Sequence, residues 1–557
     1  MDVRRLEKLL PVAVFLFAFL VRLPGLGWGL KNDIRNASLH PDEAPNFGYS
    51  RGVVPGLGQF TPGFYSYGTL YLTTLRIASD VTTAYTGAPK TKEGWSWSDP
   101  RQTDWDWVAR CNLAGRWISL LAGAAMAAIA YAIGKRIAGL VSGGVAGLLI
   151  AIAPAHVVHS RFQTPDVLAA ALIAGALYFA VRALDPKDEK ARLSPATWCG
   201  ILAGLSAGVK YTGILVLLAL YAALALRKHD GWIRQAVVAT MVSVLVFILT
   251  TPGVILQTDA FLRDFTYEMR HTATGQELFF AGTSSGFVYH LMNLFVGIGP
   301  LLVLMGLAGL VWAAYRRHAW AFVILAFWIP YYLLIGKAEV KFMRYTFPLY
   351  VGVAAGFGYA VAAAQRRKGW DKAAVAASIV GIGGIPGGGL RATVPLTLGM
   401  VAEDPRDTAG RSLRSAESVG LARDPWYWSP SLVPDGADPR GPSWQIIRAE
   451  MEANSQPKID YPMTPDGGQT YFDLSLFDQK PERIAVSNFE IDYPERLRGR
   501  TDLQSDEAGR VAAANAWTDR LRKEYEIERV IGSEGYGIED MDYVQPRVWI
   551  WKRKATP

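Results

Sequence analysis

Ten apolar runs punctuate the first 400 residues, at 9–30, 113–133, 139–158, 167–183, 198–226, 236–251, 288–314, 320–336, 345–364 and 373–398. A helix needs about 20 apolar residues to cross the hydrocarbon core of a bilayer, and most of these runs have that length. The run 198–226 is too long for one upright helix, roughly 43 Å at 1.5 Å per residue, and short for two. It predicts an out-and-back hairpin whose tip lies at Lys210-Tyr211. The pattern then amounts to about eleven crossings. After Val401 the chain turns polar and stays polar.

Basic residues gather between the runs: Lys135/Arg136; Arg182, Lys187, Lys190 and Arg192; Arg227, Lys228 and Arg234; Arg316/Arg317; and Arg366, Arg367, Lys368 and Lys372. Positive residues collect on the cytoplasmic side. That rule puts the N-terminus inside and the tail outside. The opening, with Arg4, Arg5 and Lys8 before an apolar stretch, has a signal-peptide flavour. Arg22 and Pro24 interrupt that pattern and no small-residue cleavage site follows, so an uncleaved first span is expected.

Two outer segments are long. Residues 31–112 form a first outer loop with a tryptophan-heavy patch, Trp95, Trp97, Trp105 and Trp107, of the kind that suits a membrane interface. Residues 253–287 include an amphipathic stretch, 259–277, suited to lying along the surface. In the tail, 483–487 and 547–551 read as strands. Residues 507–524 read as an amphipathic helix with Val511, Ala514, Trp517 and Leu521 at helical spacing. The expected organisation is a helical polytopic membrane domain over 1–400 followed by a soluble, extracytoplasmic α/β domain over 401–557.

Composition agrees. The chain is 51% hydrophobic with a mean hydropathy of +0.15, although the polar tail dilutes that value. Its net charge of +8 sits in short clusters between apolar runs, which speaks for membrane topology and against a nucleic-acid partner. The two cysteines, Cys111 and Cys199, support neither a disulfide framework nor a metal site.

Candidate chemistry lies at the outer turns. The first loop carries His40-Pro41-Asp42-Glu43. Adjacent carboxylates there serve either as first-turn acids of a helix or as a general base for an attacking hydroxyl. The next outer turn runs from His159 and Arg161 to Pro165-Asp166, and Asp166 leads straight into an apolar helix. It is either a helix-start acid or a second functional carboxylate, since ionisable groups at span ends are functional candidates. Lys210, Lys337, Lys341 and Arg344 occupy outer turns against the positive-inside trend. Such cations suit a lipid phosphate or anionic headgroups in general.

These residues resemble the GT-C membrane glycosyltransferases, in particular the group of protein O-mannosyltransferases and the bacterial aminoarabinose transferase of lipid A. The resemblance spans roughly residues 10–400. It is carried by His40-Pro41-Asp42-Glu43, by Ser160-Arg161-Phe162 with Pro165-Asp166, by Gly204 to Lys210-Tyr211, and by Lys341-Phe342-Met343-Arg344-Tyr345. It implies a GT-C fold, a polyprenyl-phosphate sugar donor, and catalysis on the extracytoplasmic face of a bacterial inner membrane. Asp42 takes the place of the first-loop catalytic acid, with Glu43 beside it. Asp166 takes the place of the second-loop acid. Arg161, Lys210 and Arg344 take places that handle the phosphate. His40, His159, Tyr211, Lys341 and Tyr345 complete the expected substrate-binding set. A lipid, glycan or protein acceptor is implied, without any resident cofactor. A divalent ion between Asp42, Glu43 and Asp166 stays open because hard cations favour oxygen ligands. A transporter or flippase is the alternative: the Gly-rich stretch 382–390 and the 198–226 hairpin offer broken helices. A structural assembly protein whose tail binds a partner is a third possibility.

Overall fold

The computed structural model describes residues 3–92, 94–96, 102–187, 193–228, 230–275, 279–367, 369–385, 387–422, 428–430, 458–460, 472–503, 505–533 and 539–555. Trp97, Lys190, Arg192 and Lys368, used in the sequence pattern above, lie outside the described residues, as do positions 276–277 and 386 of the ranges 259–277 and 382–390.

The body is a polytopic helical bundle. In chain order its helices are α1 Val3–Arg22, α2 Glu43–Ser50, α3 Thr69–Thr86, α4 Trp105–Ala138, α5 Leu140–Ile152, α6 Pro154–His159 and α7 Pro165–Arg182. There follow α8 Pro195–Val209, α9 Leu217–Arg227, α10 Trp232–Thr250, α11 Gly253–Leu256, α12 Thr258–Thr274 and α13 Gly286–Ile298. The last of the body are α14 Pro300–Tyr315, α15 Ala319–Gly336, α16 Tyr350–Gln365, α17 Asp371–Gly383 and α18 Gly389–Val401. Among the described residues, five helices are long and apolar enough to cross a membrane: α4, α7, α10, α15 and the segment Met343–Gln365. The pair α13–α14 makes a sixth if it counts as one span. Four shorter apolar helices, Leu9–Arg22, α5, α8 and Tyr211–Arg227, accompany them.

Several runs that look continuous in sequence are broken. The run 288–314 bends by 113° between α13 and α14. Gly299 sits there at φ +129, and Pro300, which has no N–H, opens α14. The run 373–398 parts into α17 and α18 across Gly384 and Gly388, both at positive φ. At Lys210 the backbone turns extended between α8 and a 3-10 turn, Tyr211–Val216.

Helix contacts rest on small residues, as expected where lipid tails remove the hydrophobic drive between helices. Gly200, Gly204 and Gly208 form a stripe on α8 against α10. A Cβ on Gly204 would lie 2.4 Å from the Ser243 carbonyl oxygen. The opposite side of α10 is apolar and open, with Ile233, Met241, Leu245 and Leu249 exposed.

The C-terminal part carries a five-stranded sheet of order β2-β1-β3-β5-β4, built from β1 Ser418–Leu421, β2 Lys458–Asp460, β3 Arg483–Ser487, β4 Tyr525–Ile531 and β5 Val548–Arg553. β1 runs parallel to β2 and β3, and β5 is antiparallel to β3 and β4. The helix Ser505–Glu524 packs Trp517 and Leu521 onto the sheet with Ile484, Val486 and Trp551. This part docks on the first outer loop. Arg35 and Asp407 pair at 3.0 Å with side chains almost wholly buried, Asn32 donates to Asp407, and Arg411 pairs with Asp33. Tyr543 packs its ring on His40 and Phe162.

Candidate active site

α2 begins at Glu43, just after Pro41, with Asp42 at the cap position. The Asp42 carboxylate makes no cap hydrogen bond. Instead Oδ2 lies 3.1 Å from the Arg344 guanidinium, and the Asp42 backbone N–H donates to His40 Nδ1. Asp166 occupies the first turn of α7, just after Pro165. Lys210 Nζ donates to Asp166 Oδ1 at 2.6 Å, and Arg344 Nε lies 3.6 Å from Asp166 Oδ2. Arg344 thus bridges the two aspartates from the 3-10 turn Met343–Leu349. The break at Lys210 aims its ammonium group at this cluster and over the Tyr345 ring, 4.4 Å from its centroid. Tyr211 ties the same turn to the first loop by donating to the carbonyls of Tyr65 and Tyr67.

Glu43 has a different environment from its neighbour. It is fully buried, and Arg116 grips both of its oxygens at 2.8 Å. Ser38 and the Gln163 backbone N–H donate to it as well. Burial alone would raise the Glu43 carboxyl, but the charge and hydrogen bonds of Arg116 outweigh burial and hold it below the usual range. His40 is pushed down to about 3 by burial. Its ring packs tilted against Phe162, and Nε2 is buried with no partner among the described residues.

A cavity of about 230 Å³ opens beside the cluster between α12 and α15. Lys210, Tyr211 and Tyr345 line it together with Glu268, Tyr331 and Lys337. Glu268, on the inner side of α12, is raised above the usual carboxylate range by burial, with Lys210, His271 and Arg344 pulling the other way.

The fold brings Asp42, Asp166, Lys210, Arg344, Tyr211 and Tyr345 together and sets Glu43 and His40 directly behind them. Other expected residues make their contacts elsewhere. Arg161 donates to the Arg22 and Val21 carbonyls, Thr397 and Met400. Lys341 reaches Glu339 and Thr283. His159 is buried between the rings of Phe162 and Phe347. Arg116, Glu268 and Tyr543 escaped the sequence reading. Arg116 did leave a signal, as a lone cation inside an apolar run. Among the described residues there is no group of three His, Cys, Asp or Glu side chains placed to hold a metal ion.

Residues 110–256 match the family model for dolichyl-phosphate-mannose-protein mannosyltransferases. This stretch carries Arg116, Asp166 and Lys210. Among solved structures, the apo oligosaccharyltransferase of Archaeoglobus fulgidus is similar with a TM-score of 0.50 at 13% identity, covering 74% of this chain and 58% of that one. ArnT from Cupriavidus metallidurans bound to undecaprenyl phosphate gives 0.47 at 17% identity, covering 73% and 72%. The archaeal oligosaccharyltransferase AglB with an inhibitory peptide and a dolichol-phosphate gives 0.48 at 14%, covering 73% and 58%. No curated protein matches.

Proposed function

We propose, from the premise that this chain is a GT-C-like membrane protein related to the mannosyltransferase family matched at 110–256, that it transfers a sugar from a polyprenyl-phosphate donor to an acceptor on the extracytoplasmic face. The observation that carries this reading is the arrangement of two carboxylates around two cations. Asp42 and Asp166 share Arg344, and Lys210 holds Asp166, beside a cavity with largely apolar walls.

A phosphodiester entering the cavity takes over hydrogen bonds from Arg344, whose planar fork suits phosphate, and from Lys210. Asp42 is thereby released from Arg344 to face the acceptor. It removes the proton of an acceptor hydroxyl as the oxygen attacks the anomeric carbon. The bond from that carbon to the phosphate oxygen breaks, and its electron pair leaves on the phosphate. Arg344 and Lys210 stabilise the charge that develops there. Attack opposite the leaving group inverts the anomeric centre. A phosphate acceptor would need no proton removed. Asp166 orients Lys210 and Arg344. Glu43, locked to Arg116, fixes the start of α2 and so the position of Asp42. His40 backs Asp42, and His159, Arg161 and Lys341 hold the surrounding turns through contacts of their own. In this reading the N-terminus is cytoplasmic, the body crosses about eleven times by the length argument, and residues 401–557 form the outer domain.

The test incubates membranes with a panel of radiolabelled polyprenyl-phosphate sugars and asks which label leaves the lipid. Asp42→Asn should retain donor binding and lose turnover by about 10²–10⁴-fold, the usual worth of a general base. An Asp42→Asn variant that turns over at the wild-type rate ends the assignment.

A further inference from the structure

Glu268 stands apart among the carboxylates around the cavity. Asp42 and Asp166 are each paired with a cation, and Glu43 is locked to Arg116. Glu268 lines the cavity with Lys210 and Tyr345, yet it has neither a hydrogen bond nor an ion pair among the described residues. The polar face of a surface helix accounts for Asp259 or Arg263 on α12, which point outward. It does not account for a half-buried carboxylate turned inward. The charged and titratable groups that face it are Lys210, Arg344, His271, Asp42 and Lys337, with Tyr67, Tyr211 and Tyr345.

The sugar-transfer reading, on which this inference rests, implies a change of charge at this place. The donor is a phosphodiester with a single negative charge. Once the anomeric carbon–oxygen bond has broken, the lipid keeps a phosphomonoester whose second ionisation lies at about pH 6, so the product approaches two charges near neutrality. A carboxylate without a cation of its own repels a dianion about twice as strongly as a monoanion at the same distance. Lys210 and Arg344 attract both.

We propose that Glu268 is a specificity-determining residue that distinguishes the two lipid phosphates, tolerating the sugar-bearing diester and expelling the monoester product. Glu268 acts directly on the anion, by charge, and sets the rate at which the cavity clears for the next donor.

The experiment uses the full-length protein in detergent micelles and two probes, farnesyl phosphate and its methyl ester, with affinities measured by calorimetry. At about pH 7.5 the first is mostly a dianion and the second a monoanion; at about pH 5 both are monoanions. Glu268→Gln should tighten farnesyl phosphate by roughly tenfold at the higher pH. It should tighten the methyl ester by only about threefold, half the effect in free energy, and the selectivity should collapse at the lower pH. Glu268→Asp, which keeps the charge, should keep the wild-type ratio. An equal change for both probes, no change, or weaker monoester binding in Glu268→Gln overturns the inference. Arg344→Gln separates the two levels of the argument. If it weakens both probes while Glu268→Gln shows no selectivity, this inference alone falls. If Arg344→Gln binds both as the wild type does, or if the wild type binds neither, lipid phosphate does not occupy the cavity and the sugar-transfer reading falls with it.

Discussion

At the scale of single residues, adjacent carboxylates are given opposite tasks by what lies behind them. Asp42 keeps side-chain access, at 28% exposure, and pairs with Arg344. Glu43 is sealed against Arg116. Removing one partner of a buried pair leaves the other charge uncompensated, so Glu43→Gln should cost about 3–5 kcal/mol. Thermal unfolding in detergent reads this as a clear fall in Tm, whereas Asp42→Asn leaves Tm nearly unchanged. A near-normal melting curve for Glu43→Gln would contradict the structural role. The same site makes the protein acid-sensitive. Folding depresses His40 from 6.5 to about 3, so the unfolded chain takes up a proton that the folded chain refuses. His40's contribution is complete above about pH 6.5 and is lost as the pH falls toward 3. Glu43, also depressed, contributes fully above its ordinary 4.5 and is lost below it. A Tm-against-pH series should decline below about pH 6.5, and His40→Phe should flatten the upper part of that decline. The sequence exposed Asp42, Asp166, Lys210 and Arg344 because an ionisable group at the end of a span is costly to keep there and seldom serves packing alone. It could not divide the labour between Asp42 and Glu43, since the partner that decides it, Arg116, stands 73 residues away. The contacts of Arg161 were hidden for the same reason: its partners Thr397 and Met400 come from the far end of the body.

At the scale of elements, the apolar period located the helices, and the breaks in them were less legible. A run such as 288–314 reads as one span because hydropathy does not register the positive φ of Gly299 or the missing donor of Pro300. Lys210 was legible because a cation at the centre of a long apolar run has to be accommodated by a turn. The tail strand 483–487 and the buried face Val511, Ala514, Trp517 and Leu521 emerged at their expected places, since alternation and helical spacing are local properties. The glycine stripe on α8 gives a test at this scale. Gly204→Val pushes a side chain into the α10 backbone and should cost at least about 1–3 kcal/mol, read as lost Tm or a lower folded yield. Gly144→Ala, on α5, has no heavy atom within 4 Å of the new Cβ and should be neutral in the same assay. Equal behaviour of the two variants would argue against close α8–α10 packing.

At the scale of the whole molecule, the C-terminal part and the first outer loop hold each other. Arg35 and Asp407 are 372 residues apart in sequence and pair in a nearly dry contact. Asp407→Ala should loosen that contact and lower Tm by several degrees. Tyr543→Ala should lower turnover more than it lowers stability, because it withdraws the ring that backs His40 behind Asp42. Parallel thermal melts and turnover assays on the two variants check both statements, and a Tyr543→Ala enzyme of full activity would refute the second. This long-range support has a consequence for biogenesis. A ribosome delivers the chain N-terminal end first, so the loop bearing Asp42 is made long before the segment that will brace it. Until the residues around Tyr543 have been made and folded, the first loop, with His40 and Asp42, lacks the ring that backs it. Closure of the C-terminal part on the first loop is then a late step of assembly, and a chain cut short before Asp407 lacks these contacts.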